Sequence, residues 1–249
     1  MTLIAIALTF GSGANDVATF TRLGGVFTSV MTGNIVLWGL AVARGSLSLA
    51  SHTAVSLAGY IIGVAAGTWI AHGFKTASPG KADPGKASPG KASPGKASTA
   101  KAGDDQDRAS VLPAHVSWTL FAELILLAGF TVGWEVTGAS PAGWAQFCLL
   151  AVLAAAMGVQ ASAVNEMGMT NVSTTFLTGT LTGLVSSLVS PGQSTPHGLR
   201  RFGVLIGLAA GASLCGLLLA TAAAGVPALS LAALITTLVL AAAPLRPGG

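Results

Sequence analysis

Apolar residues occur along the chain in long stretches that are separated by short polar connections. A stretch of about 20 apolar residues is long enough to cross a bilayer as a helix. The pattern therefore predicts an all-α fold, a polytopic transmembrane helical bundle with six to eight membrane segments. The candidate segments are Thr2–Thr21, Val26–Ala43, Ser51–Phe74, His115–Val136, Ala142–Val164, Val172–Val189, Phe202–Ala223 and Val226–Ala243.

Two of the eight segments are more polar than the others. The second carries hydroxyl and amide groups before its apolar run begins at Ile35, and the sixth carries them throughout. Such groups cost free energy in hydrocarbon unless they find partners. Both segments should therefore face protein or water, and either is a candidate for a broken or re-entrant segment. The polar positions are Thr28, Ser29, Thr32, Gly33 and Asn34 in the second, and Thr174, Thr175, Thr178, Gly179 and Thr180 in the sixth.

Charged residues are scarce and unevenly distributed. The 249 residues include 12 Lys+Arg and 8 Asp+Glu, and most of these charges lie between Phe74 and Ser110. A soluble surface is about a quarter charged. The composition therefore excludes a soluble enzyme, a nucleic-acid-binding protein and a disordered chain. The bilayer is the first partner that the sequence predicts.

A low-complexity insert separates two apolar regions. Its five-residue unit, Ser-Pro-Gly-Lys-Ala, recurs from Ser78 with one Asp variant. Pro and Gly oppose helix and strand, so we expect an extended cytoplasmic tether that either contacts anionic lipid headgroups or has no selected role. The predicted organisation is a first membrane half at 1–73, the insert at 74–113, a linking transmembrane helix at 114–141 and a second membrane half at 142–249.

Short motifs recur in the same order in the two halves. Gly13-Ala14-Asn15 matches Gly158-Val159-Gln160, and Met31-Thr32-Gly33-Asn34 matches Leu177-Thr178-Gly179-Thr180. Two glycine triplets give a third match. Three matches at nearly constant offsets of about 145 residues predict an internal repeat. The triplets are Gly59, Gly63 and Gly67 in the first half and Gly203, Gly207 and Gly211 in the second.

The spacing of these glycines has a mechanical consequence. Glycines at every fourth position form one smooth helical stripe, against which another helix packs closely. We expect these stripes to mediate packing inside the monomer, with the interface of a homo-oligomer as the alternative.

The direction of the repeat depends on the two polar segments. Eight full spans give parallel repeats and divide the positive charges of the short loops between both sides. Six spans, with the second and sixth segments re-entrant, give inverted repeats and leave only Arg22 and Arg44 opposite the other basic residues. The second arrangement obeys the positive-inside rule better. Inverted repeats with broken segments are typical of secondary transporters.

Two carboxyl groups lie inside apolar segments, where an ionisable side chain is a candidate for function. Asp16 follows Asn15 in the first segment, and Glu123 lies in the fourth. We consider both as proton- or cation-coupling groups, with Asn15, Gln160 and the polar positions of the second and sixth segments as a solute site. The alternatives are a segment end near the interface for Asp16 and hydrogen bonds that only join helices for the polar positions.

The motifs themselves resemble those of a known family. Gly13-Ala14-Asn15-Asp16, Leu23-Gly24-Gly25-Val26-Phe27, Met31-Thr32-Gly33-Asn34 and the Thr178-Gly179-Thr180 region are similar to the YoaK-like bacterial integral membrane proteins, the UPF0700-type family of unknown function number 1275. The resemblance covers the chain apart from the insert. It implies a multi-pass protein of the bacterial inner membrane and no reaction or substrate. Ala161 departs from the pattern, since an Asn after Gln160 is usual there.

These observations predict a secondary transporter or permease-like protein for an unidentified small solute, with its site between the two repeats. The rivals are a non-transporting membrane scaffold and, more remotely, an intramembrane enzyme. No metal-ligand spacing, activated serine or phosphate-binding glycine loop occurs in the sequence. We therefore expect no catalytic residue, no metal and no cofactor.

Overall fold

The computed structural model describes residues 2–77, 114–167 and 197–242, with the isolated positions 179, 181, 182 and 185. These residues form α-helices and no strand, so the predicted all-α fold is confirmed. The helices are α1 (Thr2–Arg22), α2 (Met31–Arg44), α3 (Leu47–Ala77), α4 (Ala114–Val136), α5 (Trp144–Glu166), α6 (His197–Thr221) and α7 (Val226–Ala242), with a 3-10 turn at Ala223–Gly225 between α6 and α7.

Six of these helices are long and apolar enough to cross a membrane, among the residues that the structure describes. The exception is α2, whose 14 residues reach only about 21 Å along the axis, short of a hydrocarbon core of about 30 Å. The helix of the second candidate segment is therefore too short to cross the hydrocarbon core on its own. The sixth, Val172–Val189, lies outside the described residues except at four positions, and the insert at 78–113 lies outside them entirely.

A non-helical stretch at residues 23–30 separates α1 from α2, and we call it the break. Near its start lie Gly24 and Gly25, whose φ angles of 98° and 74° are left-handed values that residues other than glycine rarely adopt. The ring of His52 on α3 occupies the space that a Cβ at Gly24 would need. The glycine pair thus ends α1 and lets α3 pack against the turn.

Large apolar side chains cover the outer faces of the helices. A soluble monomer rarely exposes apolar patches of more than a few hundred Å², whereas a lipid-facing surface requires them. The exposed side chains include Ile35, Val36, Ile61, Ile62, Trp69, Val132, Leu217 and Val239, which come from five helices. Their distribution agrees with a bundle that is surrounded by hydrocarbon.

The helices group into two bundles. In the α1 bundle, α1 packs along α6 and α7, whereas in the α5 bundle, α5 packs along α3 and α4, with α2 resting on α3. Contacts between the bundles are fewer and join α4 to α7 and α1 to α5. The fold therefore consists of two closely packed units with a narrower contact between them.

Glycines of α3 lie at the closest contacts inside the α5 bundle. A Cβ built at Gly63 would overlap main-chain atoms of α5, and a Cβ at Gly59 would lie 2.8 Å from a carbonyl oxygen. A Cβ at Gly67 would lie 2.9 Å from a side-chain carbon. The α5 residues that face Gly59, Gly63 and Gly67 are Ala151, Ala155 and Ser162, respectively.

Glycines of α6 make similarly close contacts inside the α1 bundle. A Cβ at Gly211 would overlap the main chain of Phe10, and a Cβ at Gly207 would lie 2.9 Å from the carbonyl oxygen of Ile6. Gly203 faces only the side chain of Ile6, which is flexible enough to move away. The tightest contacts of α6 are therefore at its second and third glycines.

Candidate functional site

The polar side chains of α1 lie on one face of the helix. They recur at intervals of three or four residues, which places them in one row along a helix. This row faces the protein interior rather than lipid, because every member is buried. Its members are Thr9, Ser12, Asn15, Asp16 and Thr19.

The carboxylate of Asp16 binds the break. Its Oδ1 accepts hydrogen bonds from the main-chain nitrogens of Thr28 and Ser29 at 2.8 and 2.9 Å and from the Thr28 hydroxyl at 3.2 Å. Its Oδ2 accepts a hydrogen bond from the Ser29 hydroxyl. These donors are main-chain and hydroxyl groups that a continuous helix would otherwise have satisfied. Asp16 thus compensates for the missing helical turn.

Asn34 satisfies the main chain of the break from the other side. Its Oδ1 accepts a hydrogen bond from Phe27 N at 2.9 Å, and its Nδ2 donates to Phe27 O at 2.6 Å. The hydroxyl of Ser56 on α3 also donates to Phe27 O, at 2.6 Å, and accepts from Asn34 Nδ2 at 3.0 Å. The break, α2 and α3 are therefore joined by one small network.

The remaining candidates of the second segment lie apart from Asp16. Thr32 is exposed on α2, and Gly33 lies in the first turn of α2 against the side chains of Phe27 and Val30. Gly179 is exposed, with open space where a Cβ would be. The other candidates of the sixth segment, Thr174, Thr175, Thr178 and Thr180, lie outside the described residues.

A second polar network crosses the contact between the two bundles. Gln160 on α5 accepts a hydrogen bond from the hydroxyl of Ser12 on α1 at 3.0 Å and donates one to Glu123 Oε1 on α4 at 2.8 Å. Beside it, Asn15 Nδ2 donates to the sulfur of Met157 at 3.5 Å. Three helices are thus joined in the order Ser12, Gln160, Glu123, which we call the polar line.

Glu123 is the most unusual member of the polar line. Its side chain has no solvent exposure, and its Oε2 has no hydrogen-bond partner among the described residues. A buried polar atom without a partner costs about 1–3 kcal/mol, and a charged one costs more. Such an atom in the middle of a membrane helix keeps Glu123 a candidate functional residue.

A cavity of about 420 Å³ lies on the other side of Asp16, between α1, the break and α6. Its walls are almost entirely apolar, so they match a hydrocarbon chain better than a hydrated solute. The lining residues include Gly13, Asp16, Val17, Phe20, Phe27 and Leu208.

Several residues of these networks are not distinguished by any motif in the sequence. Ser12 and Ser56 are single hydroxyls in apolar helices, and their partners become visible only when the helices are packed. Gln146 at the start of α5 donates to Arg22 O at 2.9 Å, and its Oε1 lies 3.2 Å from the ring of His52. This junction ties the end of α1 to α3 and α5.

Six helices that are long enough to cross a bilayer, apolar outer faces and buried polar networks define a polytopic α-helical membrane protein. The chain belongs to the family described as protein of unknown function (DUF1275), whose model matches residues 4–242. The predicted resemblance is thereby confirmed.

One curated relative is the UPF0700 transmembrane protein YoaK of Bacillus subtilis (strain 168). It is 27% identical over 187 residues, which are 75% of this chain and 66% of that protein. The chain thus matches slightly less than two thirds of the relative's length. No solved structure matches the chain.

Proposed function

We propose that this protein is a secondary transporter or permease-like protein for a small solute in the bacterial cytoplasmic membrane. The observation that carries the proposal is the polar line Ser12–Gln160–Glu123, which crosses the contact between the two bundles. A protein that needed only tight packing would gain nothing from a fully buried carboxyl group with an unpaired oxygen.

The arrangement of the bundles supports a mechanism of alternating access. Each bundle is closely packed through glycines, so it is expected to move as a rigid unit. The contact between α1 and α5 is narrow by comparison. Movement of the α1 bundle against the α5 bundle would open the polar line first to one side and then to the other, as in transporters with related halves.

The glycine contacts support the internal repeat and refine its register. Gly59 and Gly207 each face a carbonyl oxygen of the partner helix, and Gly63 and Gly211 each approach its main chain one turn later. These pairs are 148 residues apart, one helical turn more than the offset of 144 obtained by matching the triplets in order. We therefore propose that the first two glycines of α3 correspond to the last two of α6.

The helices packed against α6 and α3, which are α1 and α5, match at the offset of 145 residues that the sequence predicts. Gly13 on α1 and Gly158 on α5 differ by 145, and a Cβ at either would overlap a main-chain oxygen of the helix packed against it. Because α1 packs on α6 and α5 on α3, each proposed half contributes one helix to the other half's bundle. This exchange of helices favours two interlocked halves over two separate ones.

One observation favours the rival interpretation, a membrane scaffold without transport. The carboxylate of Asp16 and the amide of Asn34 are engaged by the break itself, as hydrogen bonds that stabilise a bundle would be. The two interpretations differ at Glu123, whose Oε2 has no such partner among the described residues.

The test is proton flux in liposomes. Purified protein is reconstituted with a pH-sensitive dye inside, a panel of small solutes is added outside, and acidification is followed for wild type, Glu123→Gln and Glu135→Gln. Glu135 provides the matched control because it is an exposed carboxylate on the same helix. Solute-dependent flux that is lost only in Glu123→Gln supports transport, whereas equal flux in wild type and Glu123→Gln, or none with any solute, favours the scaffold.

A further inference from the structure

We propose that Glu123 on α4 binds a single proton and that the side-chain amide of Gln160 reverses its orientation when the proton binds. The hydrogen bonds of Ser12 on α1 then change with the protonation of Glu123. Proton binding at Glu123 does not require transport. Only the use of that proton to drive a solute rests on the proposed function. Glu123 lies nine residues into α4, about 14 Å along the helix axis, so the proton site is deep in the membrane.

When Glu123 is ionised, the direction of each hydrogen bond in the polar line is fixed, because a carboxylate can only accept. Gln160 Nε2 donates to Glu123 Oε1 at 2.8 Å, and Gln160 Oε1 accepts from Ser12 Oγ at 3.0 Å. The carboxylate then receives one hydrogen bond from the described residues, and its Oε2 receives none. A buried carboxylate with a single donor is an expensive species, so uptake of a proton relieves it.

Protonation changes which orientation of Gln160 is best satisfied. With the proton on Oε1, Glu123 becomes a donor and needs an acceptor across the same 2.8 Å contact. Reversal of the amide supplies the acceptor, because Gln160 Oε1 then faces Glu123. Oε2 still has no partner among the described residues, but it is now a neutral carbonyl oxygen, which is far cheaper to bury than a carboxylate.

Ser12 can accommodate both orientations without moving. Its hydroxyl lies 3.0 Å from Gln160 Oε1 and also 3.0 Å from Leu8 O, within its own helix. When the amide reverses, Ser12 donates to Leu8 O and accepts from Gln160 Nε2. The same heavy-atom positions therefore serve two proton states, and the difference is transmitted from the α5 bundle to the α1 bundle.

Few titratable groups lie on the helices packed on α4, among the residues that the structure describes. Among the described residues of the helices packed on α4, α7 carries no titratable side chain. Those of α3 are His52, Tyr60, His72 and Lys75, and those of α5 are Cys148 and Glu166. On α1, the carboxylate of Asp16 is held by the break. Glu123 itself receives a hydrogen bond from the uncharged amide of Gln160.

The test is infrared difference spectroscopy on the full-length protein in vesicles during a change of pH, which reports the carbonyl band of a protonated carboxyl group. We expect a band from a buried carboxyl that is absent in Glu123→Gln and retained in Asp16→Asn and Glu135→Gln. Gln160→Leu should keep the band to higher pH, because the carboxylate loses its one donor. Ser12→Ala should shift the pH at which the band disappears. Ser12→Thr keeps the hydroxyl, so in that variant the band should disappear at the same pH as in wild type.

The outcomes separate this proposal from the proposed function. A band that survives in Glu123→Gln overturns the proton site, and a band whose pH dependence is the same in Ser12→Ala and wild type overturns the role of Gln160 as the link. If Glu123 carries the band but no solute drives proton flux, the proton site stands and transport falls. If flux requires Glu123 but the band belongs to another residue, transport stands and the assignment of the bound proton falls.

Discussion

Asn34 pairs with Phe27 as one strand of a sheet pairs with another. The amide side chain accepts from Phe27 N at 2.9 Å and donates to Phe27 O at 2.6 Å, so both main-chain groups of that residue are satisfied by one side chain. Main-chain groups within a membrane protein must be satisfied internally. This pair explains how the chain leaves a helix at the break without a large cost.

The pair predicts that Asn34→Ala destabilises the protein. The substitution leaves the partly buried Phe27 N without its acceptor, which should lower the free energy of unfolding by about 2 kcal/mol. The measurement is unfolding in detergent titrated with SDS, and Asn165→Ala provides the control, since Asn165 is exposed on α5. The pair would have no structural importance if both variants unfolded at the same SDS fraction.

Asp16 should respond differently to two substitutions. Asp16→Ala removes the acceptor of every hydrogen bond that Asp16 receives from Thr28 and Ser29 and should cost about 3 kcal/mol of stability. Asp16→Asn keeps one acceptor oxygen for the main-chain nitrogens, and its amide can donate to the Ser29 hydroxyl, so we expect a loss of under about 1 kcal/mol. Equal losses would show that the charge, rather than the geometry of the bonds, holds the break.

The helices were largely predictable from the sequence because burial in lipid demands a continuous apolar run. The same rule left the second segment ambiguous, since Ile35 and the residues after it are as apolar as a true span. What decides the outcome is the pairing of Asp16 and Asn34 with main-chain groups of the break. Those contacts depend on how α1 and α3 pack against the break, and a local sequence pattern does not predict that packing.

The candidate site was predictable only in part. Asp16, Glu123 and Gln160 are conspicuous as polar residues in apolar segments, but the sequence made Asp16 and Asn34 parts of one solute site. In the structure their hydrogen bonds go to the break, and the polar line runs through Ser12, Gln160 and Glu123 instead. Ser12 could not be predicted as a member, since a single serine in a helix carries no sign of a partner on another helix.

The glycine contacts predict which glycines tolerate a side chain. Gly63→Ala and Gly211→Ala place a methyl group against the main chain of the opposite helix, and should each cost about 2 kcal/mol through forced separation of the helices. Gly129→Ala and Gly216→Ala are the controls, because a Cβ there meets nothing within 4 Å. The controls should be neutral or stabilising by up to about 1 kcal/mol, since Ala favours a helix over Gly.

The measurement for these four variants is thermal unfolding of the purified protein, followed by the fluorescence of its tryptophans. Because the contacts of Gly63 and Gly211 correspond in the proposed repeat, the two variants should lose similar stability. If Gly63→Ala and Gly211→Ala were as stable as the controls, α3 and α6 would not be in close contact with α5 and α1.

The contact between the bundles can be measured as a coupling energy between Ser12 and Gln160. Ser12→Ala and Gln160→Leu each remove one partner of the 3.0 Å hydrogen bond, and each also disturbs a second contact, to Leu8 O and Glu123, respectively. The individual losses therefore mix two effects. A double-mutant cycle isolates the shared term, which should be about 1 kcal/mol for one neutral hydrogen bond.

The control cycle combines Ser12→Ala with Thr53→Val. The hydroxyl of Thr53 is buried but bonds within α3, to Leu49 O at 2.6 Å, so no contact links it to Ser12 and the two losses should add. All variants are compared by SDS-induced unfolding in the same lipid–detergent mixture. If the Ser12–Gln160 cycle were additive as well, the hydrogen bond would contribute nothing to joining the bundles. Proton binding at Glu123 would then have no energetic route to α1, because Gln160 is the residue through which the polar line reaches that helix.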